Sequence, residues 1–148
     1  MPFQFSLQAV LNLRQSVEYQ QELRLRAANQ QLSAMRHLID VIEQRIGQLE
    51  NLSHSAINAG LSASEMHFNL VVKSRLESQR QEAGRELLRL QNLRDAQQRI
   101  FQQARRERET FETLRDQQLR EYIRAASRRE QRYADDVFLL RQVFRRHS

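Results

Sequence analysis

The chain has almost no residues that end a helix or turn the backbone. It contains three glycines and one proline in 148 residues, and the proline is residue 2. Gly47 and Gly84 lie within helical patterns, so only Gly60 lies in a break, the stretch 58–64. Glycine and proline are the strongest interruptions of regular structure. One break in so long a chain predicts two very long helices joined by one turn, an all-α antiparallel coiled-coil hairpin.

Composition excludes several classes of protein. The chain has no cysteine, which removes disulfides and thiolate metal sites and fits a reducing compartment. Residues 1–5 lack the basic and apolar regions of a secretory signal. No segment approaches the about 20 apolar residues that cross a bilayer. We expect a soluble cytoplasmic protein without direct membrane insertion.

The net charge of +6 is unevenly distributed. Arginines and acidic residues cancel over residues 1–59, so the excess belongs to residues 60–148, where it is almost entirely arginine. A high isoelectric point raises the possibility of nucleic-acid binding. Acidic residues are nevertheless interspersed with the arginines, which is typical of the solvated face of a long helix. We therefore expect no nucleic-acid partner.

The first half of the chain carries a heptad pattern. Spacings of three and four alternate without a miss, which is typical of a coiled-coil seam. On the same frame, Arg14, Glu18 and Gln21 replace apolar residues, so the seam is expected to be weaker at that end. The predicted seam residues of the first half are Leu25, Ala28, Leu32, Met35, Ile39, Ile42, Ile46 and Leu49.

Both predicted helices begin with capping signals. Ser6 is placed to cap the first helix, with Phe5 and Val10 as a hydrophobic staple. Ser62 and Glu65 form a capping box for the second. We expect helix 1 at about 6–59, a turn at about 60–61, and helix 2 at about 62–145, all in one domain of residues 1–148. Gly60 is expected to adopt the left-handed conformation that ends helix 1. Leu61 and Met66 are expected to form a second hydrophobic staple.

A turn near residue 61 makes the numbers of partner residues add up to about 122. Four apolar pairs satisfy this rule: Ile46 with Leu76, Ile39 with Ala83, Met35 with Leu87, and Leu32 with Leu90. Their agreement favours an intramolecular hairpin. The alternative is that each helix pairs with the same helix of another copy in a parallel dimer.

The two helices differ in length. The pairing rule sets Ser6 beside Asp116, so residues 117–146 form an overhang of about 45 Å. Its apolar residues keep a helical stripe, and apolar area left in water is unfavourable. We interpret the overhang as a docking surface for a partner. The alternatives are a fold-back and a homodimer seam. The stripe consists of Leu119, Tyr122, Ala126, Tyr133, Val137, Leu140 and Phe144.

The sequence contains no recognisable catalytic, cofactor or metal site. The four histidines do not have ligand spacing, and neither a glycine-rich phosphate loop nor a serine elbow occurs. We expect no enzyme.

Near the turn, Phe68, Leu70 and Val72 belong to an apolar patch that cannot all face the seam, so part of it is a candidate second contact surface at the tip.

Several short motifs follow one another along the chain. The first is Phe3-Gln-Phe5-Ser-Leu7, which continues through Val10-Leu11 and Leu13-Arg14. The turn at 60–66, the block Arg108-Glu109 through Leu114-Arg115, and the pairs at 130–131 and 135–136 come after it. In this order the motifs resemble those of the FliJ family of flagellar export proteins. Phe111 stands where the family commonly has leucine, and Asp136 where it has glutamate. The related stalk protein of injectisome secretion systems shares the architecture but less of this N-terminus.

The resemblance implies a non-enzymatic component of flagellar type III export without cofactors. Members of that family are antiparallel coiled coils that bind the export ATPase and promote its ring assembly. They also contact the cytoplasmic domain of the export gate and handle export chaperones, at the cytoplasmic face of the inner membrane. The alternative functions are a coiled-coil scaffold or homodimeric tether and, less favoured, a basic helical nucleic-acid binder. By this resemblance the ATPase-binding end comprises Phe3, Phe5, Leu119, Arg120, Tyr122, Arg124, Arg128, Tyr133, Val137, Leu140 and Phe144.

Overall fold

In a computed structural model that describes residues 2–60 and 62–147, two long helices make up nearly the whole chain. Helix α1 spans Gln8–Ala59 and helix α2 spans Ala63–His147. No strand is present among the described residues. The two helices pair in antiparallel directions, which confirms the predicted all-α hairpin with a longer second helix.

Helix α1 begins two residues later than the sequence suggests. The amide of Gln8 donates a 3.1 Å hydrogen bond to the carbonyl of Phe5, which closes a turn before the helix. The first helical hydrogen bond runs from the Leu11 amide to the Leu7 carbonyl, at 2.9 Å. Ser6 therefore lies in the preceding turn instead of at the cap position. The reason is that the turn brings Phe5 back onto the protein, where its ring is buried.

The second helix starts as the capping signal indicates. Gly60 ends α1 with a φ of 80°, the left-handed conformation that glycine adopts without steric cost. The hydroxyl of Ser62 accepts a 3.4 Å hydrogen bond from the Glu65 amide, and the Ser62 carbonyl accepts one of 3.2 Å from Met66. Leu61, the predicted staple partner of Met66, lies outside the described residues.

We expect replacement of Gly60 by alanine to lower the free energy of unfolding by about 1 kcal/mol, because a Cβ is strained in the left-handed region. Gly84→Ala is the matched control. Gly84 is helical, and a Cβ built there meets no atom within 4 Å. That substitution should raise the unfolding free energy by about 0.5–1 kcal/mol. Urea unfolding followed by circular dichroism measures both changes in the free energy of unfolding. If the two substitutions changed it equally, Gly60 would not adopt the left-handed conformation at the turn.

The chain divides into two compact units, of which the one that contains the turn comprises residues 20–102. Its core consists of Leu32, Ile42, Ala83 and Leu90. Three side-chain pairs link the helices in this unit and agree with the pairing rule to within about one helical turn. They are Glu50 with Lys73 at 3.1 Å, Glu43 with Arg80 at 2.7 Å, and Gln21 with Gln97 at 2.7 Å.

The other unit contains both ends of the chain, residues 2–19 and 103–147 as described. Its core is formed by Phe5, Leu11 and Ala104. We refer to residues 3–18 as the arm, because this start of the chain lies along α2 as a short antiparallel strip. Residues 123–147, the end of α2 beyond the contact with Phe3, are called the C-terminal segment.

Candidate partner-binding surface

Apolar side chains hold the outer part of the arm against α2. Leu11 has no exposed surface, and Phe5 is buried. The ring of Phe3 packs against Tyr122 with centroids 5.6 Å apart and planes tilted by 53°. Residues as far as Tyr122 are thus beside the arm, and the predicted overhang at 117–146 shortens to the C-terminal segment. At about 1.5 Å per residue, this segment is roughly 37 Å long.

Charged side chains hold the inner part of the arm. Arg14 Nη1 donates to Glu107 Oε2 at 2.6 Å. Arg108 forms a bidentate pair with Glu18, with Nε donating at 2.6 Å and Nη2 at 3.2 Å, and it also contacts Glu112. These five residues form what we call the ion-pair layer. It occupies seam positions that are apolar elsewhere in the heptad pattern.

The ion-pair layer is partly withdrawn from water. The side chains of Arg108 and Glu18 are only 21% and 18% exposed. Hydrogen bonding to Glu18 is the main cause that raises the pKa of the Arg108 guanidinium above its ordinary value; Glu112 adds to the rise, and partial burial opposes it. Arg108 therefore stays charged at any working pH.

Arg14 is less completely satisfied. Its guanidinium carbon lies 6.0 Å from the centre of the Phe111 ring, at the outer limit of a cation–π contact. Its Nε atom is buried without a hydrogen-bond partner among the described residues. A buried donor without a partner lowers the free energy of unfolding, so the ion-pair layer stabilises the packing of the arm on α2 less than an apolar layer would.

The C-terminal segment exposes an apolar stripe. Tyr133 is 73% and Phe144 76% exposed, Leu140 is exposed, and Val137 is half-buried. At 3.6 residues per turn, these four side chains lie on one side of α2. Exposed large apolar side chains in such a row are the usual mark of a contact surface.

The C-terminal segment is strongly basic. It contains seven arginines against three acidic residues, a net charge of +4 out of the chain's +6. Arg124 and Arg128 are both exposed, as is Arg120 just before the segment, and at 3.6 residues per turn these three lie on the side of α2 opposite the stripe. An apolar side and a basic side on one helix favour a partner that surrounds it with both apolar and acidic groups.

Further apolar residues, not singled out from the sequence, widen this surface. Leu139 and Val143 flank the stripe on one side, while Phe138 lies on the other side of α2. All three are exposed, and so is Ile123. The signal was present as the run Val137-Phe138-Leu139-Leu140, since four consecutive apolar residues cannot all lie on one helix face. The apolar sector is therefore wider than a two-helix seam requires.

The predicted partner-binding residues nearer the arm are less exposed than the stripe. Phe5 is buried, and Phe3, Leu119 and Tyr122 are half-buried, so the arm covers the inner part of the predicted ATPase end. At the predicted tip, Phe68 and Leu70 are exposed and Val72 is half-buried. The predicted seam residues are all buried or half-buried: Leu25, Ala28, Leu32, Met35, Ile39, Ile42, Ile46, Leu49, Leu76, Ala83, Leu87 and Leu90.

Among residues 2–60 and 62–147, no group of three or more histidine, cysteine, aspartate or glutamate side chains could hold a metal ion. Within the same residues, no helix has the length and apolar character that a membrane span requires.

Comparison with protein families gives one match. The model of the family described as the flagellar FliJ protein matches residues 3–148. A search of curated proteins and a search of solved structures give no significant match.

Proposed function

Because the chain belongs to the FliJ family and is thereby a component of the flagellar export apparatus, we propose that it is a non-enzymatic stalk and adaptor of that apparatus. In this role it binds the export ATPase and promotes assembly of the ATPase ring. It links the ring to the cytoplasmic domain of the export gate and to export chaperones. Its place of work is then the cytoplasmic face of the inner membrane, at the flagellar base.

The exposed stripe of the C-terminal segment carries this proposal. Tyr133, Leu140 and Phe144 leave apolar area in water at a cost of about 25 cal/mol per Å². A ring of subunits can contact a helix on several sides, which suits an apolar sector that includes Phe138 and Leu139. The net positive charge of the segment would steer it toward an acidic opening. We therefore propose that the C-terminal segment is the part of the chain that binds the ATPase.

The proposal is tested by titrating the cognate export ATPase with this protein while ATP hydrolysis is measured and ring assembly is followed by native mass spectrometry. Stimulated hydrolysis and a ring that carries one copy of the chain support the stalk role. Neither binding nor stimulation, together with a stable dimer of this chain, would support the alternative, a homodimeric coiled-coil tether. Binding only to an injectisome ATPase would assign the chain to that system.

We expect Phe68→Ala with Leu70→Ala to weaken binding to the cytoplasmic domain of the gate by about tenfold, because exposed apolar side chains of this size often dominate an interface. Both residues are exposed near the turn. Surface plasmon resonance with the immobilised gate domain measures the change. The control is Leu88→Ala with Leu93→Ala, two exposed leucines elsewhere on α2. If the two double variants bound the gate domain with equal affinity, Phe68 and Leu70 at the tip would not contribute to gate binding.

A further inference from the structure

The arm is bound to α2 by two different kinds of contact. Its outer part buries Phe5 and Leu11, whereas its inner part depends on Arg14 and Glu18, which pair with charged residues of α2. The side chains of the Arg14–Glu107 pair are 37% and 38% exposed, ion pairs with such access to water contribute little to stability, and chain ends open before helix centres do. The buried Nε of Arg14 without a described partner weakens this region further. We therefore expect the arm to open more readily than the apolar core around Leu32 and Ile42.

The surface under the arm continues into the exposed stripe. At 3.6 residues per turn, Ala104, Phe111 and Tyr122 lie on the same side of α2 as Tyr133 and Leu140. Ala104 is buried, and Phe111 and Tyr122 are half-buried, while Tyr133 and Leu140 are exposed. The arm thus covers the first half of this side of α2, where Arg108 stands among the apolar residues, and the C-terminal segment presents the second half.

We infer that the arm is a releasable cover of the partner surface, which the ion-pair layer holds in place and which leaves α2 when the partner binds. Release makes two apolar surfaces available: the covered side of α2 and Phe5 on the arm itself. A partner that prefers the released state binds with an apparent affinity that scales with the population of that state. This inference rests on the proposed function, since it concerns the same surface.

The first test is amide hydrogen exchange in the absence of any partner, which reads the opening of the arm alone. In the unaltered protein, amides of residues 11–18 should exchange at least about tenfold faster than those of residues 32–42. Arg108→Glu sets a carboxylate against Glu18 and Glu112, so exchange at 11–18 should accelerate by a further factor of about ten or more while exchange at 32–42 stays unchanged.

Two variants control for charge and for folding. Arg105→Glu makes the same change in net charge, but Arg105 pairs with Glu109 on its own helix, so exchange of the arm should not change. The charge swap Glu18→Arg with Arg108→Glu should restore slow exchange. Glu18→Leu with Arg108→Leu replaces the pair by apolar contact and should slow exchange of the arm below that of the unaltered protein.

The second test measures the affinity of the same variants for the export ATPase by isothermal titration calorimetry. Arg108→Glu should bind about five- to tenfold more tightly than Arg105→Glu, and the double leucine variant more weakly than the unaltered protein. Unchanged exchange in Arg108→Glu would overturn the inference, and so would faster exchange in a variant that binds the ATPase no more tightly than Arg105→Glu does. If no variant binds the ATPase while the exchange rates follow the expected order, the proposed function fails and the releasable arm stands.

Discussion

Replacement of Tyr133, Leu140 and Phe144 together by alanine is expected to weaken binding to the export ATPase by about a hundredfold or more, because a few large apolar side chains supply most of the energy of an interface. All three are exposed on one side of the C-terminal segment, so their removal leaves no cavity in the core. Isothermal titration calorimetry with the purified ATPase measures the dissociation constant.

The control for this variant is Leu88→Ala with Leu93→Ala, which removes exposed leucines from another part of α2. It should bind the ATPase with unchanged affinity. Both variants should retain the helical circular dichroism of the unaltered protein, since none of the five residues is buried. An affinity of the triple variant within about twofold of the control would exclude the stripe as the docking surface.

Leu32→Ala is expected to lower the free energy of unfolding by about 3 kcal/mol, because a buried leucine leaves both lost apolar contact and a cavity when it is truncated. Leu32 is 2% exposed and lies opposite Leu90 by the pairing rule. The thin core of two paired helices offers few other side chains to fill the space. Urea unfolding monitored by circular dichroism at 222 nm gives the change.

Leu88→Ala serves as the comparison for this substitution. Leu88 is largely exposed on the same pair of helices, so its truncation should change the unfolding free energy by less than about 0.5 kcal/mol. If both substitutions had the same small effect, Leu32 would not belong to the core, and the register of the hairpin would have to differ from the one described.

The fold was largely predictable because local and global signals agree. Gly60 provides a left-handed residue at the turn, Ser62 caps the following helix, and the unbroken heptad frame from Leu25 to Leu49 requires a long helical partner. The start of α1 was harder to predict. A serine looks the same in sequence whether it caps a helix or precedes one in a turn, and here the burial of Phe5 decides the outcome.

The ion-pair layer could not be predicted from spacing. The pairing rule sets Arg14 beside Arg108, two like charges, and Glu18 beside Ala104. In the structure, Arg14 reaches Glu107 and Glu18 reaches Arg108. Long side chains span a full helical turn, so a register that is correct to within one turn still misassigns charged partners. The sequence indicates a weaker seam at this end, but not that ion pairs replace the apolar contact.

The extent of the exposed surface was also only partly predictable. A stripe at spacings of three and four identifies Tyr133, Val137, Leu140 and Phe144, because it assumes one partner on one face. The exposure of Phe138, Leu139 and Val143 becomes evident only when the arm is seen to end near Tyr122. Which side chains stay uncovered depends on where the other end of the chain stops, and this follows from three-dimensional packing.

The most direct test of the account is site-specific photo-crosslinking with a photoreactive amino acid at position 140, and in a separate protein at position 68, in cells that assemble flagella. Docking of the C-terminal segment into the export ATPase predicts a crosslink from position 140 to the ATPase subunit and none from position 68 to that subunit. A crosslink from position 140 to a second copy of this chain, with none to the ATPase, would contradict the account and make the exposed stripe a homodimer seam.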